Sequence, residues 1–432
     1  MTLVTIELLV IAALWGWWAW KDPKRAFLGL PILLPTYVVR TNIGPIPTTG
    51  LELVILVTFA VWFLRKGWVS AWIATASWRG PTLLWLAAGL VAVFVSPVPW
   101  QALGLYRAYF IEPLLVFFMG MDLVRTHEDK RKLAQSFATV TILLAAWAAV
   151  QYATGWGIPH PWDAWPGRRA TGPFPFPNAL ALFVTPIAAL AFADAVSRYS
   201  DRGARSAPLL APLWSWLTVI AGLIAIILAQ SDGGLIAFGA AAFVALILNK
   251  RTRMIAVGLA ALGLVALFAI APLRARVTEM ITFQEWSGKV RTVMWQETWA
   301  MLRDTSTPLG AGRPIFGAGL AAYPTVILPY HKATWMEVFQ YPHNIVFNLW
   351  SETGLLGLFA FAWILYTWVR GPWSVVRGTT TPDTRRTAVL ILPILVALLV
   401  HGLVDVPYFK NDLAVAFWML ILLTTTYEKT SH

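Results

Sequence analysis

Apolar stretches of roughly 16 to 22 residues recur along most of the chain, separated by short basic connections. That length is what an α-helix needs to cross the hydrocarbon layer of a membrane. Strands of a membrane barrel would instead alternate apolar and polar residues over segments of about ten residues, and the chain has no such segments. The pattern therefore predicts an all-α, polytopic membrane protein.

About 13 membrane spans are predicted, within a range of about 12 to 14. They lie near 2–20, 27–40, 51–65, 82–98, 104–124, 132–153, 178–196, 209–230, 233–249, 254–271, 344–369, 387–406 and 411–427. The second stretch is short and is interrupted by Pro31 and Pro35, and Ser231–Gly234 barely separates the eighth from the ninth. The first stretch lacks a basic segment before it and a cleavage site after it, so it is predicted to be a retained span. We expect residues 1–432 to form a single integral membrane domain.

Lysine and arginine residues are distributed unevenly between the predicted connections. Alternate connections, together with the C-terminus, hold roughly two thirds of the 33 basic residues. Because basic residues accumulate on the cytoplasmic side, the N-terminus is predicted to be outside and the C-terminus inside.

The amino-acid composition agrees with a membrane protein and excludes several other functions. Hydrophobic residues make up 58% of the chain and charged residues 12%, about half the charged fraction of soluble domains. The net charge of +12 follows mainly from the uneven distribution of basic residues, so no nucleic acid partner is predicted. The chain has no cysteine, which excludes disulfides, thiolate metal sites and cysteine nucleophiles.

One predicted outer connection, residues 272–343, is far longer than the others. Connections longer than about 15 residues usually carry function or are disordered. This one contains an amphipathic stretch, Arg291–Arg303, in which Trp295, Thr298 and Leu302 follow Arg291 at helical spacing. Such a stretch is typical of a helix that lies along a membrane surface. A glycine-rich turn, Gly310–Gly319, follows it.

A second outer connection, residues 154–177, contains the sequence GRRATGPFPFP. Its prolines and glycines prevent a regular helix and make the segment stiff, so Arg168 and Arg169 are expected to lie on a fairly rigid surface. Together with the basic residues of 272–343, these arginines indicate an anionic ligand on the outer face, because guanidinium groups bind phosphate oxygens in a bidentate geometry. For any single residue, solvated surface charge is an equal alternative.

The segment Tyr341–Leu358, YPHNIVFNLWSETGLLGL, places polar residues where the large connection enters an apolar helix. His343 is a candidate proton acceptor, since an unperturbed histidine titrates close to neutral pH. Asn344 is either an N-cap of the helix or a substrate contact. Glu352 lies roughly 13 Å further along the helix, so we expect a buried structural contact for it rather than a direct partnership with His343. Gly354 and Gly357 are expected to permit close helix packing.

This segment resembles the signature of the O-antigen ligase and O-antigen polymerase superfamily. The resemblance extends to Arg169–Leu182 (RATGPFPFPNALAL), to Ser287–Leu320 and to His401–Asp405 (HGLVD), and covers roughly 165–410 in the order typical of the family. The chain departs from the family at Gln230–Gly233, where an aspartate stands in place of a common arginine.

The resemblance implies a GT-C-like glycosyltransferase in the bacterial inner membrane. Such an enzyme moves a glycan from an undecaprenyl-diphosphate carrier to a lipid or glycan acceptor on the outer face, without a metal or another cofactor. It implies that His343 is catalytic and that Arg169 and Arg291 bind the diphosphate. Arg168, Asn344 and Glu352 are candidates for supporting roles.

The chemistry of this transfer is consistent with the residue types. A base must take a proton from the attacking hydroxyl, and fixed cations must stabilise the leaving diphosphate. The N-terminus of the helix that begins near Asn344 is expected to assist the arginines. The lipid tail needs an apolar groove, whose rim Trp295, Trp299 and Trp350 are candidates to line.

Helical spacing predicts whether the members of two further pairs of polar residues contact each other. Arg107 and Glu112 are about 140° apart around an α-helix, so we expect no pairing between them within it. His401 and Asp405 share a helical face and are expected to hydrogen-bond. No histidine shows the ligand spacing of a zinc site, so no metal is predicted.

Two other functions stay open. A polymerase of the same superfamily shares the signature with a ligase. A lipid-linked glycan transporter would require two similar halves and helices broken in mid-membrane, and no internal repeat is visible in the sequence. A membrane scaffold would leave the arginine clusters unexplained.

Overall fold

The computed structural model describes residues 2–198, 208–306, 310–376 and 382–425, with backbone alone for 371–376 and 382–387. Its α-helices are α1 (Leu3–Lys21), α2 (Pro23–Leu33), α3 (Gly50–Leu64), α4 (Trp68–Ala74), α5 (Arg79–Val95), α6 (Pro99–Tyr106), α7 (Glu112–Leu123), α8 (His127–Thr154), α9 (Pro177–Ser197), α10 (Pro212–Leu228), α11 (Asp232–Leu248), α12 (Arg253–Ala269), α13 (Ala271–Ile281), α14 (Trp286–Arg303), α15 (Arg313–Phe316), α16 (Tyr323–Val326), α17 (Ile345–Val376), α18 (Pro382–Gly402) and α19 (Asn411–Thr424). Strands β1 (Arg40–Ile43) and β2 (Ile46–Thr49) form an antiparallel hairpin, and short 3₁₀ segments lie at Leu34–Val38, Ala76–Trp78 and Leu328–Tyr330.

The all-α class is confirmed, and each predicted apolar stretch coincides with one or more helices. In the described chain, six helical stretches are long and apolar enough to cross a membrane, or up to eight if each of two bent pairs is one span. Four shorter apolar helices, α10, α11, the Ala388–Gly402 part of α18 and α19, fall below that length. The number of about 13 spans therefore stays a prediction.

Local sequence signals set where several of these helices begin and end. The Thr49 side chain accepts a hydrogen bond from Glu52 N–H, and the Glu52 side chain accepts one from Thr49 N–H, which forms a capping box at α3. Thr126 and Asp129 form the same motif at α8, which ends at Gly155 with φ +77°. Pro177 and Pro212 occupy the first positions of α9 and α10, where a missing N–H costs nothing.

A cluster of buried aromatic residues joins α5, α7 and α19. Within it, the Tyr408 hydroxyl accepts hydrogen bonds from Trp85 Nε1 at 3.3 Å and Trp418 Nε1 at 3.2 Å, and donates to Tyr109 O at 2.8 Å. All three bonds are buried or nearly so, so Tyr408 has few alternative positions. The short segment between α18 and α19, residues 403–410, is thereby anchored to the bundle; it is called the 403–410 connection below.

The expectation that Arg107 and Glu112 do not pair is wrong. Arg107–Ile111 is π-helical, and in this conformation the hydrogen-bonding repeat is i to i+5, so residues five apart come onto one face. Arg107 Nε lies 3.5 Å from Glu112 Oε1, and Arg107 Nη2 lies 2.7 Å from Glu52 Oε1 on α3. Asn411 Nδ2 donates to the second Glu112 oxygen at 2.6 Å, which ties α19 to the same network.

The described residues of the large connection, 272–306 and 310–343, are folded. The α12 helix and the helical stretch Ala271–Arg303 that follows it meet at 102°, so this stretch runs crosswise to α12. Its place along the membrane surface stays a prediction. Met301 and Leu302 pack with Ala318, Tyr323 and neighbouring residues in a small separate core. The connection is thus a small domain with its own apolar interior.

The large connection docks onto α17 at a break in that helix. Gly354 has φ +67° and ψ −169°, which interrupts the helical backbone. Ala318 N–H donates to Ser351 O at 2.7 Å, and Ala321 N–H donates to a Glu352 carboxylate oxygen at 2.8 Å. Backbone groups near the break are therefore bonded by the connection, a requirement for irregular backbone in a membrane protein.

We expect Gly354→Ala to lower the melting temperature of the purified protein. The new methyl group would overlap Ile315 O and lie 2.6 Å from Phe316 C, and the left-handed backbone costs a residue with a side chain about 1–3 kcal/mol. Thermal unfolding in detergent measures the effect. Gly258→Ala in α12 is the matched control, because a methyl group there meets no atom within 4 Å. Equal melting temperatures for the two variants would contradict the docking role of Gly354.

Candidate functional site

Polar connections that are distant in sequence meet at one end of the helix bundle. Ser96 Oγ, after α5, donates to Leu320 O at 2.7 Å, and Ala170 N, before α9, donates to Leu228 O at the end of α10 at 2.8 Å. Asn344 Nδ2, before α17, donates to Leu403 O after α18 at 2.9 Å. The 154–177 segment, the large connection and the 403–410 connection thus lie on the same side of the described bundle.

His343 lies beside Asp405 at this end. Its Nδ1 atom is 3.2 Å from Asp405 Oδ1, and the Asp405 side chain is 1% exposed while that of His343 is 20% exposed. An ionised carboxylate only accepts hydrogen bonds, so Nδ1 must carry the proton in this pair. Nε2 of a neutral His343 ring is then the basic nitrogen. The pair leaves a proton acceptor at a partly open position.

The backbone at His343 is held in an unusual conformation. Its φ is +45°, a region that residues with a side chain rarely adopt. Contacts on both sides fix it: Trp295 Nε1 donates to Pro342 O at 2.9 Å, and Asn344 binds Leu403 O. Phe339 and Tyr341 flank the ring at 5.4 and 4.6 Å between centroids. The ring is therefore positioned by α14, by the 403–410 connection and by its own segment.

The charge of Asp405 is stabilised by its surroundings. Burial alone would raise the pKa of its carboxyl, but interactions with His343, Lys410 and His401 lower it below its usual range. Val406 N–H also donates to Asp405 Oδ1 at 2.8 Å. Asp405 is thus an anion at neutral pH, fixed against the imidazole ring of His343.

The prediction that Asp405 hydrogen-bonds the His401 side chain is wrong for the described chain. The two residues are linked through the backbone, with Asp405 N–H donating to His401 O at 3.0 Å, and the carboxylate points to His343 instead. The helix α18 ends at Gly402, so Asp405 lies beyond it and does not share the helical face on which the prediction depended.

Arg291 reaches the same connection from α14. Its Nε donates to Val404 O at 2.9 Å, one residue before Asp405. Its two terminal nitrogens donate to no residue in the part of the chain that the structure describes. The guanidinium group is therefore anchored at one edge, while its outer edge is available for an anion beside the His343–Asp405 pair.

Arg169 is anchored at the start of α9 and the end of α10. Its Nε donates to Ala229 O at 2.9 Å, and one terminal nitrogen donates to Asn178 Oδ1 at 3.1 Å and to Gln230 O at 3.3 Å. Burial and the positive charge of Arg291 lower the pKa of Arg169, while Asp232 raises it. The charges of the two guanidinium groups therefore act on each other across the site.

Of the three residues with predicted supporting roles, Asn344 is the N-cap of α17. Its Oδ1 accepts hydrogen bonds from Val346 N–H at 3.0 Å and Phe347 N–H at 3.1 Å, while its Nδ2 binds Leu403 O. Two N–H groups of the first turn of α17 are thereby bonded by the Asn344 side chain, so the structure gives no support to their use for the diphosphate.

Arg168 and Glu352 are also used within the fold. Arg168 donates to Tyr152 O at 2.9 Å and to Asp163 O at 3.3 Å, which closes the 154–177 segment onto α8. Glu352 is 5% exposed and binds Ala321 N–H, in agreement with the buried structural contact expected for it.

The tryptophans expected to line a lipid groove hold the large connection together. Trp350 Nε1 donates to Pro314 O at 2.8 Å, and Trp299 packs edge-on against Trp350 at 5.5 Å. Trp299 remains 43% exposed. A role at the rim of a groove therefore stays a prediction for Trp299, while Trp295 and Trp350 have structural partners.

Within the described residues, no group of three or more histidine and acidic side chains could hold a metal ion. His331 pairs with Glu297 at 3.0 Å inside the large connection, but this is a pair of residues only. The polar groups of the site are instead one imidazole–carboxylate pair and fixed guanidinium groups.

These features define an all-α membrane protein with a histidine–aspartate pair and two arginines at one end of its bundle. A family model described as O-antigen ligase matches residues 217–362, which include Arg291 and His343. The chain therefore carries a region of the O-antigen ligase superfamily, and the resemblance found in the sequence is confirmed. Among curated proteins, none matches the chain.

Proposed function

We propose that the protein is an O-antigen ligase-like glycosyltransferase of the bacterial inner membrane. It transfers a glycan from an undecaprenyl-diphosphate carrier to an acceptor hydroxyl on the outer face, without a metal ion. The family match supports a function among O-antigen ligases and polymerases. The observation that carries the proposal is the 3.2 Å contact between His343 and Asp405 on the connection that also binds Arg291.

His343 is proposed to act as the general base. Its Nε2 accepts the proton of the acceptor hydroxyl as the oxygen attacks the anomeric carbon, and Asp405 stabilises the imidazolium ring that results. The bond between the anomeric carbon and the diphosphate oxygen breaks, and the leaving group departs as the lipid diphosphate. Arg169 and Arg291 stabilise the negative charge on that leaving group.

The direct test uses purified protein in lipid nanodiscs with an undecaprenyl-diphosphate oligosaccharide. We expect release of the lipid diphosphate and appearance of glycosylated acceptor when a suitable acceptor lipid is added. Longer lipid-linked glycan formed from donor alone would identify the alternative, a polymerase. In sealed vesicles, movement of donor across the membrane without its consumption would identify a transporter and contradict the proposal.

Arg291→Lys and Arg169→Lys should each lower transfer by about 10- to 100-fold, although the charge is kept. The planar guanidinium group of arginine can donate to a carbonyl oxygen with one N–H group and bind phosphate with the others. Lysine has a single ammonium group and cannot do both. Initial rates in the transfer assay measure this loss. Arg303→Lys is the matched control, since Arg303 is exposed on the same helix as Arg291. Unchanged rates for Arg291→Lys and Arg169→Lys would remove the bidentate assignment.

A further inference from the structure

Lys410 is a buried cation without a hydrogen-bond partner in the described part of the chain. The residue is 9% exposed, and its Nζ atom has no hydrogen-bonding contact there. Its backbone is fixed, because Lys410 N–H donates to Tyr408 O at 2.7 Å and Lys410 O accepts from Ala414 N–H at 2.8 Å. A buried ammonium group without a partner is costly, so this position requires an explanation.

The Lys410 side chain ends at the start of α9. Its Nζ atom lies 3.9 Å from the centroid of the Phe176 ring, and Phe176 is the N-cap residue of that helix. No side chain caps α9, and the first N–H groups of a helix have no partners within it. Pro177 has no N–H, and Ala179 N–H donates to Phe176 O at 3.1 Å. The first turn of this 21-residue helix therefore offers the Asn178 N–H together with its positive partial charge.

A second cation lies at the same turn. Arg169 donates to Asn178 Oδ1 at 3.1 Å, and Asn178 is the second residue of α9. Lys410 and Arg169 thus contact the first turn of α9 through Phe176 and Asn178. Lys410 also follows Asp405 on the 403–410 connection and interacts electrostatically with it, so this turn lies close to the His343–Asp405 pair.

We infer that Lys410, Arg169 and the first turn of α9 form an anion site that takes the diphosphate of a prenyl-linked donor. Lys410 would be a substrate-binding residue in addition to Arg169 and Arg291. This inference rests on the proposed function and deepens it, since it adds a buried lysine and the first turn of α9 to the two arginines. The ligand class is a diphosphate ester with an apolar tail.

The test measures binding of farnesyl diphosphate to full-length protein in phosphatidylcholine nanodiscs at pH 7. We expect Lys410→Met to weaken binding by about 10- to 100-fold, the loss of one charge-assisted contact, and Lys410→Arg to retain most of it. Lys332→Met is the matched control, because Lys332 is exposed on the large connection and makes no contact with α9. Equal affinities for Lys410→Met and the control would overturn the inference.

A pH series gives a second readout that does not depend on the methionine variant folding well. Burial lowers the pKa of Lys410 to about 8, while Asp405 and Asp412 oppose that effect. Wild-type affinity should therefore fall as the pH rises from about 7 to about 9, because Lys410 loses its charge; Lys410→Arg should show no such fall, since arginine stays protonated. The same fall in both proteins would overturn the inference.

Two further outcomes separate this inference from the proposed function. One outcome is that wild-type protein binds farnesyl diphosphate and that Arg291→Lys lowers the affinity while Lys410→Met does not. The donor site would then be supported, but without Lys410 as a part of it. If wild-type protein binds no farnesyl diphosphate, both ideas fail. Competition by phosphatidylglycerol at equal potency would show that the site takes a phospholipid headgroup, which also overturns the assignment to a diphosphate.

Discussion

Replacing His343 with glutamine should lower the rate of glycan transfer by about 10²- to 10⁴-fold, the usual contribution of a general base. Glutamine keeps a polar side chain that can donate to Asp405 but has no nitrogen that accepts a proton near neutral pH. The fall should appear in kcat, with donor binding nearly unchanged, because the base acts only as the hydroxyl attacks. Single-turnover rates with saturating donor measure it.

The control for His343→Gln is His331→Gln. His331 Nδ1 contacts Glu297 at 3.0 Å, so both variants remove a histidine from a histidine–carboxylate pair. His331 lies inside the large connection, away from the 403–410 connection, and its replacement should change kcat by no more than a few-fold. Full activity of a folded His343→Gln protein would refute the base assignment, and equal losses in both variants would show a structural effect instead.

Much of the helical architecture could be predicted because burial in a membrane demands long apolar stretches. The break between α10 and α11 at Ser231 is one example: Ser231 Oγ accepts from Gly234 N–H at 3.3 Å, as its place before a glycine pair suggests. The amphipathic Arg291–Arg303 stretch is another, since its apolar stripe forms one face of α14. These features depend on local sequence, which periodicity reports directly.

The features that could not be predicted depend on backbone irregularities and on contacts between distant segments. The π-helical turn at Arg107 changes which residues share a face, and nothing in a periodic pattern indicates it. Because α18 ends at Gly402, Asp405 lies outside the helix. The partner of Asp405 is His343, which lies far earlier in the chain. The sequence did contain one useful signal, Asp405 at the end of HGLVD. Helical spacing led to the expectation that Asp405 bonds to His401.

The site depends on four segments that meet only in the folded bundle. The 154–177 segment supplies Arg169, α14 supplies Arg291, and the segment before α17 supplies His343. The 403–410 connection binds or faces each of the other three, and Tyr408 anchors it to the aromatic core. Rigidity of this connection therefore matters for the chemistry, because it sets the position of a carboxylate, a lysine and two carbonyl groups together.

Asp405→Asn should lower transfer at neutral pH by about 10²- to 10³-fold, in kcat and not in donor binding. The Asp405 carboxylate is ionised across the neutral range, because interactions with His343 and Lys410 lower its pKa against the effect of burial. Its negative charge favours the imidazolium form of His343. Without that charge, the positive charge that develops on the ring as the hydroxyl loses its proton is less stabilised in the transition state.

A comparison of kcat with donor binding and with the melting temperature separates this role from a structural one. Val406 N–H and His343 Nδ1 both meet Asp405 Oδ1, so an asparagine oxygen can keep both contacts while its NH₂ group replaces the Oδ2 atom, which has no hydrogen-bond partner in the described chain. Geometry is thus largely kept and charge is lost. Asp304→Asn, which changes a carboxylate bonded to Tyr330 and Ser306 in the large connection, should leave kcat nearly unchanged. A reduced rate for Asp405→Asn that comes with weaker donor binding and a lower melting temperature would mean that Asp405 supports the fold and does not stabilise the charged ring.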